Sequence, residues 1–422
     1  MPDAVEPDVH VTGKRFMWSQ NAFTDRLNLK WPILQAPMGS ISTPALAAAV
    51  SNAGGLGGLG MWGFSAEDAE RRIAGFQQMS GGGLNVNYPL WPKPSIIPEI
   101  SEPMRAHLQA HFDAKGLGAV PEPKGAAGEV SREHLSMLIR TKPQMVSFHF
   151  GLPDREVIDA IKDAGIFIVS SATTVAEARM LEEQGVDAII AQGTEAGGHR
   201  GTFTGVDISM QPGLFALLPQ VVDAVRVPVI AAGGVADGRT VAAAFVLGAS
   251  AVQLGTAFLR CEEANVLDAH RAALREPTDA CTVVTDMISG RPARFVKNGL
   301  IEDLVASELR PVAFPGQYSL TAPLGGTGDR ELTALFAGQS AALASDTTAG
   351  ALVASLAEAT SECLRGFARS WPSTHFDCHI HSAARRFPFR FKRRPDGPKI
   401  PLPLFPEYRT LPTAPAMSAS CR

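Results

Sequence analysis

Eight short apolar runs, each followed by a stretch of helical period, constrain this chain more than any other feature. PILQAP (32–37), GLGGLG (55–60), LNVNYP (84–89), MVSFHFG (145–151), IFIVSSA (166–172), AIIAQGTEA (188–196), VPVIAAGG (227–234) and AVQLGTAF (251–258) are apolar throughout rather than alternating. Parallel strands have that character, because the helices that connect them cover both faces of the sheet. Helices are predicted over Thr43–Asn52, Ser65–Gln78, 131–140, Asp154–Ala164, Thr174–Gln184, Gly213–Val225 and Ala236–Leu247. Thr43 is placed to cap and Pro44 suits a first turn, while Ser65 with Asp68 three residues on makes a near capping box. Eight β–α alternations in about 230 residues predict a (β/α)8 TIM barrel, an α/β fold, rather than an open doubly wound sheet.

Three segments fall outside the alternation. Residues 90–131 are rich in Pro and Gly and read as an irregular excursion over one barrel end. Residues 262–362 are Ala-rich and helical in pattern, notably ELTALFAGQSAALA and AGALVASLAEAT, and are expected to form a helical appendage or lid closing on the barrel. The expected domains are therefore a barrel over 1–261, the appendage over 262–362 and a disordered tail over 363–422. That tail holds nine prolines and no amphipathic period.

Charge separates the same regions. The whole chain carries 38 Lys and Arg against 42 Asp and Glu, but residues 363–422 hold 11 against 3. An acidic body argues against a nucleic-acid-binding core. Cys261, Cys281, Cys363, Cys378 and Cys421 are sparse, odd in number and without CxxC spacing, so a reducing cytoplasm is the expected setting. No signal-type leader and no membrane-spanning run is found. Oligomeric state is left open. In the tail, His375, Asp377, Cys378, His379 and His381 are metal-ligand types without a scaffold, so adventitious affinity is expected. Arg385–Arg394, interleaved with Phe387, Phe389 and Phe391, reads as a solvated run.

In a barrel, chemistry sits on the loops that follow the strands. Gly233 and Gly234 after strand seven and Gly255 and Thr256 after strand eight let backbone N–H groups approach a phosphate. Gly55, Gly57 and Gly60 spell G-x-G-x-x-G, yet they follow a helix and lie within a strand, the reverse of the dinucleotide-binding context. The loop after strand six holds His199 between small residues, where it acts as acid or base near neutrality or bonds a loop carbonyl. Glu195 either orients His199 or is exposed, and Arg200 either attracts an anion or is solvated. His149 faces the barrel mouth or packs in support. Paired His/carboxylate spacings are missing from the barrel segments, so no metal site is predicted there.

Taken together, QAPMG (35–39), AAAVSNAGGLGGLG (47–60), LNVNYP, SFHFG (147–151), SSATTVAEA (170–178), QGTEAGGHRG (192–201), PVIAAGGVADG (228–238) and QLGTAF (253–258) resemble the nitronate monooxygenases, formerly called 2-nitropropane dioxygenases. SGRPAR (289–294) and AGQSAALA (337–344) resemble them too, and the match spans roughly 30–360. The resemblance implies FMN as cofactor and oxidation of alkyl nitronates with O2 to carbonyl compounds and nitrite. It implies one-electron transfer to the flavin, with no nicotinamide. Ala36, Pro37, Met38, Gly39 and Asn87 would contact the flavin ring, Ser171 the FMN, Gln192 and Gly193 the ring again, and Gly233, Gly234, Gly255 and Thr256 the phosphate. His199 matches the catalytic histidine, and His149 and Gly198 would line the substrate position. Asn85 stands where relatives often carry Gly. The ending after 363 departs from the pattern and reads as an extension or an altered reading frame, so deleting 366–422 is expected to spare flavin binding. The alternatives are a flavin-dependent enoyl-acyl-carrier-protein reductase using NAD(P)H, a non-catalytic flavin binder, and a vestigial barrel carrying the tail as a basic adaptor.

Overall fold

The computed structural model of the chain describes residues 9–11, 14–16, 18–91, 99–125, 128–205, 207–275 and 278–370. A parallel sheet of eight strands forms from the eight apolar runs: β1 Ile33–Gln35, β2 Gly57–Gly60, β3 Leu84–Pro89, β4 Met145–His149, β5 Phe167–Ala172, β6 Ala188–Gln192, β7 Val229–Ala232 and β8 Ala251–Leu254. Their spatial order is β1-β8-β7-β6-β5-β4-β3-β2. The Leu34–Leu56 bridge joins the two ends, so the sheet closes into a TIM barrel. The pleat then decides what faces the axis. Met145, Val169, Ile190 and Ile230 fill the interior, and Phe23 and Leu27 of α1 (Ala22–Leu27) join the same cluster.

The connecting helices are α2 Pro44–Asn52, α3 Ala66–Met79, α5 Arg132–Thr141, α6 Arg155–Asp163, α7 Val175–Glu183, α8 Leu214–Ala224 and α9 Gly238–Val246, with α4 Glu102–Lys115 before α5. Thr43 caps α2, with Pro44 at its start, and the Ser65 hydroxyl caps α3 through Asp68 N–H. Gly55 precedes β2 and Gly57 and Gly60 lie in it, directly after α2, so the G-x-G-x-x-G string is barrel wall rather than a phosphate loop.

The segment after β8 differs from a purely helical appendage. Short α10 (Asp268–Ala273) leads into strands Thr282–Thr285 and Ala293–Val296, which pair antiparallel, and the second also pairs with Gly198–His199. Helices α11 (Gly299–Ala306) and α12 (Gly316–Gly325) follow. ELTALFAGQSAALA is not an α-helix: it makes two 3-10 turns, Arg330–Leu332 and Ala341–Leu343, joined by extended chain. Its own apolar residues pull it straight. Val296 N–H bonds Leu335 O at 2.7 Å, and Phe336 packs on Phe295 with ring centroids 4.6 Å apart.

Helix α13, Ala349–Ser370, packs against both α9 and α2 and so takes the place of the eighth barrel helix. The expected boundary at 363 lies inside it, and Leu364 still touches the core. A truncation at 366 would cut this helix. Residues 371–422, with the His/Cys and Arg runs and most of the expected disordered tail, lie outside the described residues.

The 90–131 excursion also carries a helix, α4. Ser101 caps it, Pro103 sits in its first turn, and Met104, Leu108 and Phe112 recur on one face. Those three are at most 2% exposed and share a second core with Leu300, Leu304, Leu320 and Leu324. At roughly 1.5–3 kcal/mol for each fully buried side chain, this face is enough to hold the two insertions together as one cap.

Candidate active site

Strand register gathers the sequence-selected residues at the C-terminal ends of the strands. Gly60 pairs with Asn87, Asn87 with Ser147, and Ala232 with Gln192. Gly233 and Gly234 end β7 at φ +102° and +71°, where a side chain would be strained. Gly60 serves close approach instead, since a Cβ there would lie 2.6 Å from Gly39 N in the QAPMG turn. At the end of β8, a Cβ on Gly255 would meet only Ala36 Cβ at 3.6 Å and Met38 Sδ at 3.8 Å. Ala36, Met38 and Gly255 thus lie side by side at the rim. Thr256 Oγ1 accepts from Gly338 N–H at 2.9 Å, which draws the 337–339 turn to the same rim.

The donors at this rim suit a flavin that carries a phosphate. Among the described residues, the N–H groups of Gly233, Gly234, Gly255 and Thr256 have no protein acceptor. That is the donor set a phosphate needs. Gln253, two residues before Gly255 on the same strand face, has a buried Oε1 without a protein partner. Asn87 spends its amide on Ser147, donating to O at 3.1 Å and Oγ at 3.0 Å. Asn85 is 1% exposed, and both its side-chain polar atoms lack partners.

The two histidines are locked together. His149 Nε2 lies 3.1 Å from the His199 carbonyl, which can only accept, so the ring proton is on Nε2. Its Nδ1 therefore accepts from Ser171 Oγ at 3.0 Å. The same His199 carbonyl also takes a hydrogen bond from Gln192 Nε2 at 3.1 Å, while Gln192 Oε1 receives Gly201 N–H at 2.8 Å. His149 is thus a support beneath His199, within reach of the mouth.

His199 is not on a flexible turn. It pairs with Ala293 in the three-stranded sheet, and its Nε2 lies 3.0 Å from Ser289 Oγ. Ser289 donates its own hydrogen to Arg291 O at 2.8 Å, so it accepts from His199 Nε2–H. The Nδ1 lone pair is left free. Burial, with His149 and Arg291 beside it, pushes the His199 pKa down to about 3, and burial first and then Arg291 and Arg200 put His149 at about 4. Both rings are neutral at pH 7, in contrast to the expected titration near neutrality. Phe150, Phe314 and Phe336 surround the His199 ring at 6.0, 5.2 and 5.6 Å, and Trp91 packs on Phe314 at 4.8 Å.

Arg200 and Glu195 take neither of the roles expected of them. Arg200 is fully buried, donating to Gln211 Oε1 at 3.0 Å, Gln192 O at 2.9 Å and Gly193 O. It neither meets solvent nor reaches for substrate; it braces the loop from below. Glu195 caps α8, both its oxygens accepting Leu214 N–H at 2.8 Å, so it does not orient His199. Ser289, Arg291, Phe314 and Phe336 escaped sequence reasoning. SGRPAR and AGQS stood out only as motifs, and no local pattern says that they cover a loop a hundred residues earlier.

Arg291 lies 3.7 Å over the Phe150 ring and donates to Thr202 O. With Arg200 and Arg294 it places three guanidinium groups around the His199 loop, against the carboxylates of Glu177 and Glu195. Three guanidinium groups against two carboxylates leave one net positive charge beside the loop, which favours anions. A cleft of about 300 Å³ at Gly83 and Gln144 holds no comparable group cluster.

A closed barrel with unpaired backbone N–H groups after strands seven and eight, and a neutral histidine under an aromatic wall, has the form of a barrel enzyme that binds a cofactor. Comparison with known proteins narrows the class. The nitronate monooxygenase profile matches residues 20–359. A probable nitronate monooxygenase from Staphylococcus aureus is 37% identical over 345 residues, 81% of this chain and 97% of that protein. A nitroalkane oxidase from Streptomyces ansochromogenes superposes with a TM-score of 0.74 at 38% identity, covering 82% of this chain and all of that one. FabK from Thermotoga maritima gives a TM-score of 0.65 at 28% identity, over 83% and 99% of the two chains. The chain belongs to the nitronate monooxygenase family and is a flavin-dependent oxidoreductase. Among the described residues, no helix is long and apolar enough to cross a membrane.

Proposed function

We propose that the enzyme uses FMN and O2 to oxidise alkyl nitronates to carbonyl compounds and nitrite, with no nicotinamide. The observation that carries this reading is the neutral His199, its Nδ1 free and its Nε2–H fixed by Ser289, inside a cationic and aromatic-walled mouth. Gly233, Gly234, Gly255 and Thr256 would hold the phosphate, and Ala36, Pro37, Met38, Gly39, Asn87, Ser171, Gln192 and Gly193 the remainder of the cofactor. Bound FMN supplies an acceptor for single electrons from an electron-rich substrate.

A neutral nitroalkane offers its α-proton to His199 Nδ1. The imidazolium so formed then faces the nitronate it has made, and opposite charges hold the pair together in a site of low dielectric. A preformed nitronate is already deprotonated and needs no proton transfer; the Arg291 guanidinium beside the His199 ring favours its entry. Arg291 adds positive potential, Gly198 leaves room beside the ring, and His149 keeps the His199 backbone in place. Phe150, Phe314 and Phe336 exclude water from the reacting carbon.

Oxygen uptake by the flavin-loaded enzyme on addition of an alkyl nitronate, without nicotinamide, tests this reading. Rapid uptake with nitrite release is expected, reduced 10²–10⁴-fold for nitroalkane substrates in His199→Asn. Bleaching of the flavin by NADH or NADPH without any nitronate response would overturn it in favour of the enoyl reductase. Mass analysis of the extracted cofactor decides FMN.

A further inference from the structure

Three metal-ligand side chains that the reaction does not use meet on the outside of the cap. His107 and His111 lie four residues apart on α4, so they project from the same face one turn apart. Asp303 comes from α11. Both imidazole Nε2 atoms lie 2.7 Å from one and the same Asp303 oxygen, Oδ2. The three ligand atoms are all within 4.8 Å of one another. We propose that His107, His111 and Asp303 bind one divalent transition-metal ion that clasps α4 to α11.

The scaffold is rigid where such a site needs it. Met104 and Leu108 on α4 and Leu304 on α11 are 0% exposed and belong to one core cluster, so the helices cannot slide apart. Tetrahedral zinc bonds nitrogen at roughly 2.0–2.1 Å and carboxylate oxygen at roughly 2.0–2.2 Å, which small side-chain rotations about the present positions reach. The ion replaces the two N–H hydrogens that now converge on Oδ2, each ring proton moving to Nδ1. Solvent supplies the fourth ligand, because the Asp303 side chain is 47% exposed and the histidines only 26% and 23%. Two imidazoles and one carboxylate select zinc, cobalt or nickel over magnesium or calcium. The bond would join positions 196 residues apart. Its effect falls on the cap, which carries Ser289 and Phe314, and none of its ligands touches His199.

The tail run His375–His381 is the obvious competitor, so the test uses the full chain stripped with chelator and two sets of substitutions. Titration with Zn²⁺ is expected to show one equivalent bound and a melting point raised by a few degrees at saturation. Both effects persist when His375, His379 and His381 become Asn and Cys378 becomes Ser. Both are lost in His107→Asn/His111→Asn, with affinity falling by more than the roughly 10–100-fold that even an outer-shell partner is worth. Asp303→Asn, which keeps a hydrogen-bond acceptor for the histidines, serves as the second variant if the double one folds poorly. Co²⁺ substitution should give a tetrahedral spectrum without a sulfur charge-transfer band. Binding that follows the tail substitutions, survives both helix variants, or is missing from the unaltered chain overturns the proposal.

Discussion

Glu177→Gln tests how the loop carrying His199 is held. Glu177 is completely buried, and six donors converge on its carboxylate. Oε2 accepts Thr173 N–H and Oγ–H, both at 2.7 Å. Oε1 accepts Thr202 Oγ–H at 2.7 Å, Phe203 N–H at 2.8 Å, and Thr204 N–H and Oγ–H at 3.2 and 3.0 Å. These bonds hold the carboxyl below its usual pKa despite burial, which acts the other way. Glutamine keeps the shape but turns one oxygen into a donor. The three hydroxyls can rotate to accept from it; the three N–H groups cannot. The least harmful orientation points the remaining oxygen at Phe203 and Thr204 and leaves Thr173 N–H facing an amide. One buried N–H without an acceptor costs about 1–3 kcal/mol, and losing the charge on the retained bonds adds about 1 kcal/mol more. A loss of about 3 kcal/mol is expected, a large part of the 5–15 kcal/mol typical of a folded protein. Urea unfolding measures it, with exposed Glu183→Gln as the control within about 0.5 kcal/mol. Proteolysis within 201–205 should quicken as well. A Glu177→Gln protein within about 1 kcal/mol of the unaltered chain, with the loop still protected, would refute the reasoning.

Two further outcomes follow from the histidines. Ser289→Ala frees the His199 tautomer, so kcat with a neutral nitroalkane should fall roughly tenfold or more, with a smaller loss for the preformed nitronate; equal losses would mean that Ser289 acts only on packing. The second concerns acid stability. His149 and His199 have folded pKa values of about 4 and 3, below the ordinary 6.5. The unfolded chain therefore binds more protons between pH 6.5 and 3, and stability must fall as the pH drops through that window. Glu177, with its lowered pKa, adds loss below the ordinary 4.5. Unfolding midpoints measured from pH 7 to pH 4 check this, and a flat or rising trend contradicts it.

The barrel was legible because its signal is local. Each apolar run plus its helix announces itself within about 30 residues, and Thr43 and Ser65 cap where the chain suggests. The left-handed turn after β7 was legible for the same reason, since Gly233 and Gly234 punctuate the end of a strand. Helix α4 was hidden by composition: the prolines flanking it drew attention from Met104, Leu108 and Phe112, whose spacing of four marks a buried face. ELTALFAGQSAALA misled in the opposite sense. Alanine and leucine favour a helix by about 1 kcal/mol or less per residue, and the burial of Phe336 on Phe295 and the bond from Val296 to Leu335 outweigh that preference.

The chemistry of His199 was the least legible feature, because residues far along the chain set it. A histidine between glycines reads as mobile and titratable. Its neutrality here comes from burial under Phe314 and Phe336, and its proton is placed by Ser289, 90 residues away. Arg200 was misjudged on the same ground. An arginine in a glycine-rich loop reads as solvated, yet three carbonyl and amide oxygens and full burial make it the loop's internal brace. Motif spacing identifies which residues share a reaction. Whether each one carries a proton at neutral pH depends on what covers it, and in this chain the cover is built from the insertion holding α4 and from the segment between β8 and α13. The cap is therefore as much a part of the proposed active site as the barrel loops, and substitutions in it should alter the acid–base behaviour of His199 without touching the residues proposed to hold the flavin.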